Sequence, residues 1–358
     1  MKIALIGPPK SGKTTIFNAL TGADHEVDKY SPPATEANIG IVQVTDERIT
    51  RLSELYQPKK TIYANLEFHD FPGIFARETE NPESTIFSEI KSCDAFVLIL
   101  RAFKDEELDQ LYQDTDPLKV LSHFEEEMIL ADLMVAEKRL EKIALSYKRG
   151  VKTPALMIEE KALQRIVSHL QDNNSIRSLE LPDEEEKAVR GFQLMSAKAL
   201  LILLNTTEKE FKQQDELLSR FRQQGYMAEV IAGKFEQELA ALEADEAKLF
   251  MADMGMDMSI KDRLSMLCYE LLGLISFFTV GPDEVRAWTI TKGTTAINAA
   301  GKIHSDLARG FIRAECFSYE DLIAHGSEKH LKEKGLFRLE GKEYLVQDGD
   351  ILNIRFNV

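Results

Sequence analysis

The strongest chemical signal in this chain of 358 residues is a glycine-containing loop near its start. Residues 7–14 fit the pattern G-x-x-x-x-G-K-[ST], which is typical of a phosphate-binding loop. The apolar run before it, Lys2–Ile6, predicts a buried strand, and Thr15–Thr21 predicts a helix. In that order of elements, backbone N–H groups and the positive end of the helix converge on a phosphate. The predicted nucleotide-binding residues of this loop are Gly7, Pro8, Pro9, Lys10, Ser11, Gly12, Lys13, Thr14 and Thr15.

Side chains in and beyond this loop predict phosphoryl-transfer chemistry. Lys13 would place a positive charge between the β- and γ-phosphates, so we assign it a catalytic role, and the Thr14 hydroxyl would bind Mg2+. A D-x-x-G sequence closes a later predicted strand, where Asp70 would hold Mg2+ through water and the Gly73 N–H would meet the γ-phosphate. Thr35, in an exposed polar segment, is a further candidate metal ligand, although an ordinary loop threonine fits the sequence equally well.

The base-binding region is expected after a second buried strand, residues 199–204. GTPases carry N-K-x-D at this place, and its aspartate accepts hydrogen bonds from guanine. Here Thr206 replaces the lysine and Glu208 replaces the aspartate, so the guanine-reading group is altered. Asn205 keeps an amide that both donates and accepts, as adenine recognition requires. The predicted base-binding residues are Asn205, Glu208 and, in a loop after the strand 227–231, Ala232 and Gly233.

Composition limits the class of protein. Hydrophobic residues make up 44% and charged residues 29%, as in a globular protein, and the apolar runs are too short for a transmembrane helix. The net charge of −16 argues against indiscriminate nucleic-acid binding, DNA included, but leaves room for a local basic patch. Three widely spaced cysteines show no disulfide or zinc pattern, which favours a reducing cytoplasm.

A long helical pattern interrupts the α/β pattern. Apolar residues recur at steps of four and three from Pro117 to about Lys152, and a second helix follows Pro154. This predicts a coiled-coil arm of two antiparallel helices; the alternative is a pair of helices packed in the main core. Its basic end predicts an RNA contact, although a solvated helix end explains the charges as well. The stripe consists of Ile129, Leu133, Ala136, Leu140, Ile143 and Tyr147, then Leu156, Leu163, Ile166 and Leu170.

The C-terminal residues carry a family resemblance. Residues 285–290, 299–308, 311–317, 342–346 and 352–356 predict a small α+β module of strands and one helix. Its sequences resemble the YchF-type, Obg-like ATPases of the P-loop translation-factor class. The matching stretches are Gly281-Pro-Asp-Glu-Val-Arg-Ala-Trp-Thr289, Ala299-Ala-Gly-Lys-Ile-His-Ser-Asp306, Arg309-Gly-Phe-Ile-Arg-Ala-Glu315, Val346-Gln-Asp-Gly-Asp350 and Arg355-Phe-Asn-Val358.

The resemblance implies a fold and an activity. It implies a ubiquitin-like β-grasp (TGS) domain at the C-terminus, ATP hydrolysis with Mg2+, and cytoplasmic ribosome association. Asn205 and Glu208 match the family's N-x-x-E, and Ile74 matches an apolar residue where Ras-type GTPases orient water with glutamine. Three departures stand out: Lys10 and Ser11 in the loop, a switch segment one residue short before Asn38, and Gln110 in place of a histidine that serves hydrolysis. The predicted catalytic residues are therefore Lys13 and Gln110; alternatively, Gln110 is a plain surface residue.

Together these features predict an α/β protein: a P-loop sheet domain with an inserted coiled-coil arm and a β-grasp domain. The expected boundaries are 1–117 with 193–277 for the nucleotide-binding domain, 118–192 for the insertion and 278–358 for the last domain. We expect a monomeric, ribosome-associated switch that slowly hydrolyses ATP and contacts rRNA on the large subunit or intact ribosome, without membrane or DNA partners. The alternatives are a translation-factor-like GTPase and a nucleotide-binding interaction protein with little hydrolysis.

Overall fold

The computed structural model describes residues 1–25, 37–71, 85–111 and 116–357. The strands are β1 (Lys2–Ile6), β2 (Asn38–Gln43), β3 (Lys60–Ile62), β4 (Asn65–Asp70), β5 (Ala95–Arg101), β6 (Ala199–Asn205), β7 (Met227–Ile231), β8 (Leu274–Thr279), β9 (Glu284–Thr291), β10 (Phe311–Ser318), β11 (Arg338–Glu340) and β12 (Asp350–Phe356). The helices are α1 (Lys13–Thr21), α2 (Glu47–Tyr56), α3 (Thr85–Ser92), α4 (Glu106–Leu111), α5 (Pro117–Lys148), α6 (Pro154–Gln171), α7 (Asp183–Val189), α8 (Asp215–Gln223), α9 (Gly233–Ala240), α10 (Ala244–Met254), α11 (Ile260–Leu271), α12 (Ala296–Ile303), α13 (Ser305–Arg309), α14 (Tyr319–His325) and α15 (Glu328–Glu333).

The first sheet has the order β2-β4-β1-β5-β6-β7. The strand pairs from β4 to β7 are parallel, and β5 is apolar from Ala95 to Leu100 because both of its faces are buried. Parallel strands end at one edge of a sheet, so the loops that follow β1, β4, β6 and β7 meet there. This confirms the predicted α/β fold class with a parallel sheet, and it gathers the predicted site at that edge.

The helical insertion is held together by its predicted apolar stripe. Every residue of the stripe on α5 and α6 lies in or against one buried cluster. The two helices are antiparallel neighbours: Arg139 pairs with Glu159, and the Tyr147 hydroxyl donates to Glu160 at 2.9 Å. The first turns of α5 pack elsewhere. Leu121, Phe124 and Met128 belong to the hydrophobic core of the first sheet. The alternative of core helices therefore describes the start of α5, and the hairpin describes the remainder.

The second sheet has the order β11-β10-β12-β8-β9-β3. On one face, buried residues of β8, β10 and β12 pack with Ala296, Ala299 and Ala300 of α12. On the other face, Phe278 and Phe317 pack with α2, α14 and α15. Both faces of this sheet are thus covered by helices over part of its width.

Contacts divide the chain into two compact units, and the bounds of these units differ from the domain boundaries expected from the sequence. The first contains residues 1–40 and 67–260, and the second contains 41–66 and 261–358. Residues 41–66, which the sequence analysis placed in the nucleotide-binding domain, lie in the second unit because β3 pairs with β9 and α2 packs on the second sheet. The C-terminal unit also begins near 261 rather than 278, since it includes most of α11 and all of β8.

Local predictions differ from the structure in three places. The strand predicted before the D-x-x-G sequence, which the sequence pattern extends over residues 61–70, splits into β3 and β4, and these belong to different sheets. The expected strand 342–346 is a turn that bonds back to β12: the Tyr344 hydroxyl donates to Asp350 at 2.8 Å, as does the Gln347 N–H. The expected helix 299–308 breaks at His304 into α12 and α13.

The three cysteines of the chain, Cys93, Cys268 and Cys316, lie among the described residues, where they are buried and form no disulfide. Burial raises the pKa of each thiol to about 12, so all three are protonated and unreactive at neutral pH. None of the described helices is both long and apolar enough to span a membrane.

Candidate active site

The loop after β1 has the backbone geometry of an anion cradle. Gly7 and Gly12 have φ angles of 147° and 96°, and Lys10, between them, has a φ of 61°. A Cβ at Gly7 would lie 2.4 Å from the Ile99 carbonyl oxygen, and a Cβ at Gly12 would lie 2.0 Å from Asn205 Nδ2. Both positions therefore require glycine for space as well as for φ. The loop leads directly into α1, whose N-terminus has no side-chain cap, and the free N–H groups of a helix N-terminus favour an anion.

Lys13, the first residue of α1, is folded over this loop. Its Nζ donates to the carbonyl oxygens of Gly7 at 3.0 Å and of Pro8 at 2.8 Å, and the residue is 6% exposed. Burial lowers the pKa of Lys13 to about 8, opposed by the negative charge of Asp70 and reinforced by the positive charge of Lys10. A buried ammonium whose partners are carbonyl dipoles gains strongly from a bound polyphosphate.

Thr14 and Asp70 meet beside the loop as predicted. The Thr14 hydroxyl donates to Asp70 Oδ2 at 2.8 Å, and the Asn38 amide lies 3.5 Å from the same oxygen. The other oxygen of Asp70, Oδ1, is buried and has no hydrogen bond within the described residues. Burial raises the pKa of Asp70, and the bond from Thr14 and the charge of Lys13 counteract that rise.

These residues fit a hydrated Mg2+ ion. Mg2+ keeps several waters and is held by few protein oxygens together with substrate phosphates. The hydroxyl of Thr14 and the unpartnered Oδ1 of Asp70 are oxygens of that kind. The described residues contain no cluster of three or more carboxylate, histidine or cysteine side chains that would form a complete protein cage.

Asn205 has a structural role that the sequence analysis missed. Its Nδ2 donates to the Ser11 carbonyl oxygen at 2.8 Å, and its Oδ1 accepts from the Gly233 N–H at 3.0 Å. The amide thus joins the phosphate-binding loop to the start of α9, and one donor and one acceptor are already used. A Cβ at Gly233 would lie 2.9 Å from that Oδ1, which explains the glycine there. The signal in the sequence that could have indicated this role is the position of Asn205 at the end of β6, next to the phosphate-binding loop.

The two altered positions of the base-reading sequence have different surroundings. Thr206 is buried, with its N–H bonded to the Ile231 carbonyl oxygen at 2.8 Å. Glu208 is exposed at the first residue of a 3-10 helix, Glu208–Gln213. Ala232 is buried and precedes α9. Of the two altered positions, Glu208 is thus the one whose side chain is accessible to a ligand.

The described structure brings only some of the remaining predicted residues to the site. Gln110 is exposed on the short helix α4, and within the described residues no hydrogen bond joins it to the phosphate-binding loop. Thr35, Gly73 and Ile74 lie outside the described residues. Ser11 is buried, and its hydroxyl has no hydrogen-bond partner among the residues that the structure describes. Pro8, Pro9 and Thr15 lie in the loop and first turn as expected.

Comparisons with known proteins match both parts of the chain. The family model described as "50S ribosome-binding GTPase" matches residues 2–133, and the model YchF-GTPase_C, described as a protein of unknown function, matches residues 274–357. A "Ribosome-binding ATPase YchF" from Bacillus subtilis is 39% identical over 99% of this chain and 98% of its own. The protein of that name from Haemophilus influenzae is 34% identical over 100% of this chain and 99% of its own.

A solved structure agrees over the same length. The structure titled "Structure of the Schizosaccharomyces pombe YchF GTPase" superposes with a TM-score of 0.81 and is 28% identical, covering 99% of this chain and 97% of that one. The sequence relatives and this structure span the nucleotide sheet, the helical insertion and the C-terminal unit together. With the phosphate-binding loop and the Thr14–Asp70 pair in place, the chain belongs to the YchF family.

Proposed function

We propose that this protein is a ribosome-associated switch that binds ATP with Mg2+ and hydrolyses it slowly to ADP and phosphate. The observation that supports this most is the joint placement of Lys13, Thr14 and Asp70 around one glycine-shaped loop. Lys13 would neutralise phosphate charge, and Thr14 and Asp70 would hold the ion that neutralises the rest. The relatives named ribosome-binding ATPases supply the partner, and ribosomes imply the cytoplasm as its location.

Co-sedimentation tests the ribosome part directly. The full-length protein is centrifuged through a sucrose cushion with 70S ribosomes or isolated subunits, with ATP, with ADP and without nucleotide. We expect pelleting with ribosomes that depends on the nucleotide, and the subunit arms show whether the large subunit suffices. Pelleting that is independent of ribosomes or absent in all arms would contradict the proposal.

GTP is the competing nucleotide, because the matching family model and the fission yeast structure are both described as GTPases. We expect ATP to bind more tightly than GTP by about 1–3 kcal/mol, the cost of one polar group that loses its hydrogen-bond partner when the base covers it. The reason is that the exposed Glu208 replaces the aspartate of guanine readers, and Thr206 replaces their lysine. Competition of both nucleotides against a fluorescent ATP analogue measures the difference.

Two variants test which residues decide this difference. Glu208→Asp combined with Thr206→Lys should raise GTP affinity. Glu210→Asp, the same substitution at another glutamate of the 3-10 helix, is the control and should leave GTP affinity unchanged. Equal affinities of the unaltered protein for ATP and GTP would argue for the GTPase alternative. Tight ATP binding without measurable single-turnover hydrolysis would argue for a nucleotide-binding interaction protein.

Water activation is assigned to Gln110 in this proposal. A glutamine amide accepts from water and donates to a phosphate oxygen at once, so it would position the nucleophile without acting as a base. Because Gln110 is exposed on α4, hydrolysis should be slow until a partner orders this segment. Gln110→Ala should keep ATP affinity and lower the single-turnover rate roughly tenfold, about 1.4 kcal/mol. An unchanged rate with and without ribosomes would remove Gln110 from the mechanism.

The end of the helical hairpin offers a surface for the ribosome. Leu145 and Val151 are half exposed there, as is Met157. The exposed basic residues around them are Lys138, Lys142, Lys148, Arg149 and Lys152. Cations interleaved with accessible apolar groups suit a ribonucleoprotein, where phosphates and protein lie side by side. We propose this tip as one ribosome contact.

A truncation tests the tip, and the structure decides where to cut. Removing all of 118–192 would also remove Leu121, Phe124 and Met128 from the nucleotide-unit core. Residues 140–158 should instead be replaced by a short glycine-serine linker, because Arg139 and Glu159 already pair across the hairpin. We expect ribosome co-sedimentation to fall at least tenfold with ATP affinity unchanged. A hairpin of full length with Lys142→Gln and Lys148→Gln is the milder companion, and full co-sedimentation of the truncated protein would contradict the assignment.

A further inference from the structure

Helix α10 is packed on one side only. Its residues Ala247, Met251 and Met254 recur at helical spacing and lie against one apolar cluster. The buried members of that cluster are Ala232, Phe235, Leu239 and Met256. Leu249, on the opposite side of the helix, is 73% exposed and is the most exposed large apolar side chain among the described residues. Its neighbour Phe250 is 53% exposed, so the helix presents apolar groups to solvent that its own packing does not use.

Carboxylates border these apolar side chains. Asp245 and Asp253 lie one helical turn before and after Leu249, Glu246 lies three residues before it, and all three acidic residues are exposed. We call the group formed by Asp245, Glu246, Leu249, Phe250 and Asp253 the α10 surface. This surface combines an apolar centre with an acidic border.

Two cations near the α10 surface do not balance its acidic groups. Lys248 lies on the helix with its Nζ 4.0 Å from Asp245 Oδ1, but the lysine side chain is 73% exposed and that of Asp245 is 100% exposed. Exposed pairs of this kind are weak, so a partner can replace Lys248. Lys212 lies near the turn at the C-terminal end of the helix. Against these two cations stand the three carboxylates of the α10 surface, with the exposed Glu243 and Asp257 beyond the two ends of the helix.

The chemistry and the size of the α10 surface limit the partners that fit it. Carboxylates repel the phosphates of RNA, whereas they attract the lysine and arginine side chains of a protein. The apolar side chains add a contact that excludes water, as at the centre of protein interfaces. A helix of 11 residues is about 16 Å long, and one face of it offers far fewer residues than the roughly 20–30 a side of a stable interface. The surface therefore suits a basic protein that is held at a second point as well.

We propose that the α10 surface docks a lysine- and arginine-rich segment of a ribosomal protein. Leu249 and Phe250 would contact the aliphatic stems of the basic residues, and the carboxylates would pair with their charged ends. The inference rests on the proposed ribosome association, in which the hairpin tip supplies the other point of attachment. It assigns protein rather than RNA to this contact and places the contact on the first compact unit.

Site-specific crosslinking identifies what lies on the α10 surface. Because the three native cysteines are buried and protonated, Leu249→Cys adds a uniquely reactive thiol, which is labelled with benzophenone maleimide. The labelled full-length protein is irradiated with purified 70S ribosomes, and the crosslinked partners are identified by mass spectrometry. Leu130→Cys is the matched control, because Leu130 is 58% exposed on α5 of the same compact unit.

We expect Leu249→Cys to crosslink a basic ribosomal protein that Leu130→Cys does not reach, and an excess of unlabelled protein should remove this crosslink. A crosslink to rRNA would overturn the proposal, as would a yield no higher than that of the control. A crosslink to a second copy of this chain, formed equally without ribosomes, would also overturn it.

A binding measurement separates this inference from the proposed function. Leu249→Ser with Phe250→Ser should weaken co-sedimentation with 70S ribosomes roughly tenfold, as truncation of interface anchors does, and should leave ATP affinity unchanged. Leu130→Ser with Met134→Ser, at two exposed apolar residues of α5, is the control and should change co-sedimentation less than about twofold. Equal co-sedimentation of the two variants would overturn this inference alone. Failure of the unaltered protein to pellet with ribosomes would overturn the proposed function and this inference with it.

The acidic border has a test of its own. Asp245→Asn with Asp253→Asn should weaken ribosome binding more at low than at high KCl concentration, because salt screens exposed charges. Ribosome binding that is unchanged or strengthened at low KCl would show that the carboxylates face no basic partner, and it would overturn the proposal.

Discussion

Replacing Lys13 by alanine should reduce ATP affinity by roughly 100-fold or more, about 3 kcal/mol, because charge-assisted hydrogen bonds to phosphate oxygens are lost. Lys13 is buried over the loop, and its hydrogen-bond partners among the described residues are carbonyl oxygens. A bound phosphate would therefore supply the negative charge that stabilises the buried ammonium group. Titration with a fluorescent ATP analogue in the presence of Mg2+ measures the loss.

Lys248→Ala is the matched control, since Lys248 is an exposed lysine of the same compact unit, on α10. It should leave ATP affinity unchanged, and both variants should keep the thermal unfolding midpoint of the unaltered protein within a few degrees. Should Lys13→Ala bind ATP as well as Lys248→Ala does, the loop would not be the phosphate site, and the proposed ATPase function would lose its main support.

Leu52→Ala should lower the free energy of unfolding of the C-terminal unit by about 3 kcal/mol, within the range for buried leucines. Leu52 is fully buried against the second sheet, although every strand of that sheet except β3 lies after residue 273. Trp288 reports on this unit selectively: it is the only tryptophan, its Nε1 donates to Thr279 at 3.0 Å, and its ring stacks on Phe277. Urea unfolding followed by Trp288 fluorescence should move to lower urea concentration.

Leu55→Ala is the internal control, because Leu55 lies on the same helix but is 43% exposed. It should change the unfolding free energy by less than about 0.5 kcal/mol, as expected for surface positions. Binding of the ATP analogue, which reports on the first unit, should be retained by both variants. Equal shifts for Leu52→Ala and Leu55→Ala would show that α2 does not stabilise the second sheet.

Much of the nucleotide site could be predicted because its signals are local. The phosphate-binding loop, its strand and its helix are contiguous in sequence, and backbone geometry follows from the glycines at 7 and 12. Asp70 could be added because parallel strands end at one edge. The apolar stripe of the hairpin was equally readable, since its periodicity repeats over many turns.

The contacts that sequence analysis missed join distant segments. Asn205 was assigned to the base, but its amide bonds Ser11 and Gly233, and no local pattern distinguishes a clamp from a ligand. Likewise, residues 61 and 62 read as part of the strand that ends at Asp70. Only the pairing of β3 with β9, more than two hundred residues later, separates them. A strand of three residues such as β3 is too short to show a periodic sequence pattern, so its pairing with a distant strand cannot be predicted from the sequence.

The discontinuity of the second unit affects the order in which the chain folds during synthesis. Residues 41–66 emerge early, but β9, which pairs with β3, and the sheet that buries Ile49 and Leu52 follow only after residue 261. At typical elongation rates of about 5–20 residues per second, that interval of about 200 residues lasts roughly 10–40 s. Until then the apolar face of α2 lacks its partners from the later strands and helices, so this helix needs protection from aggregation in the nascent chain.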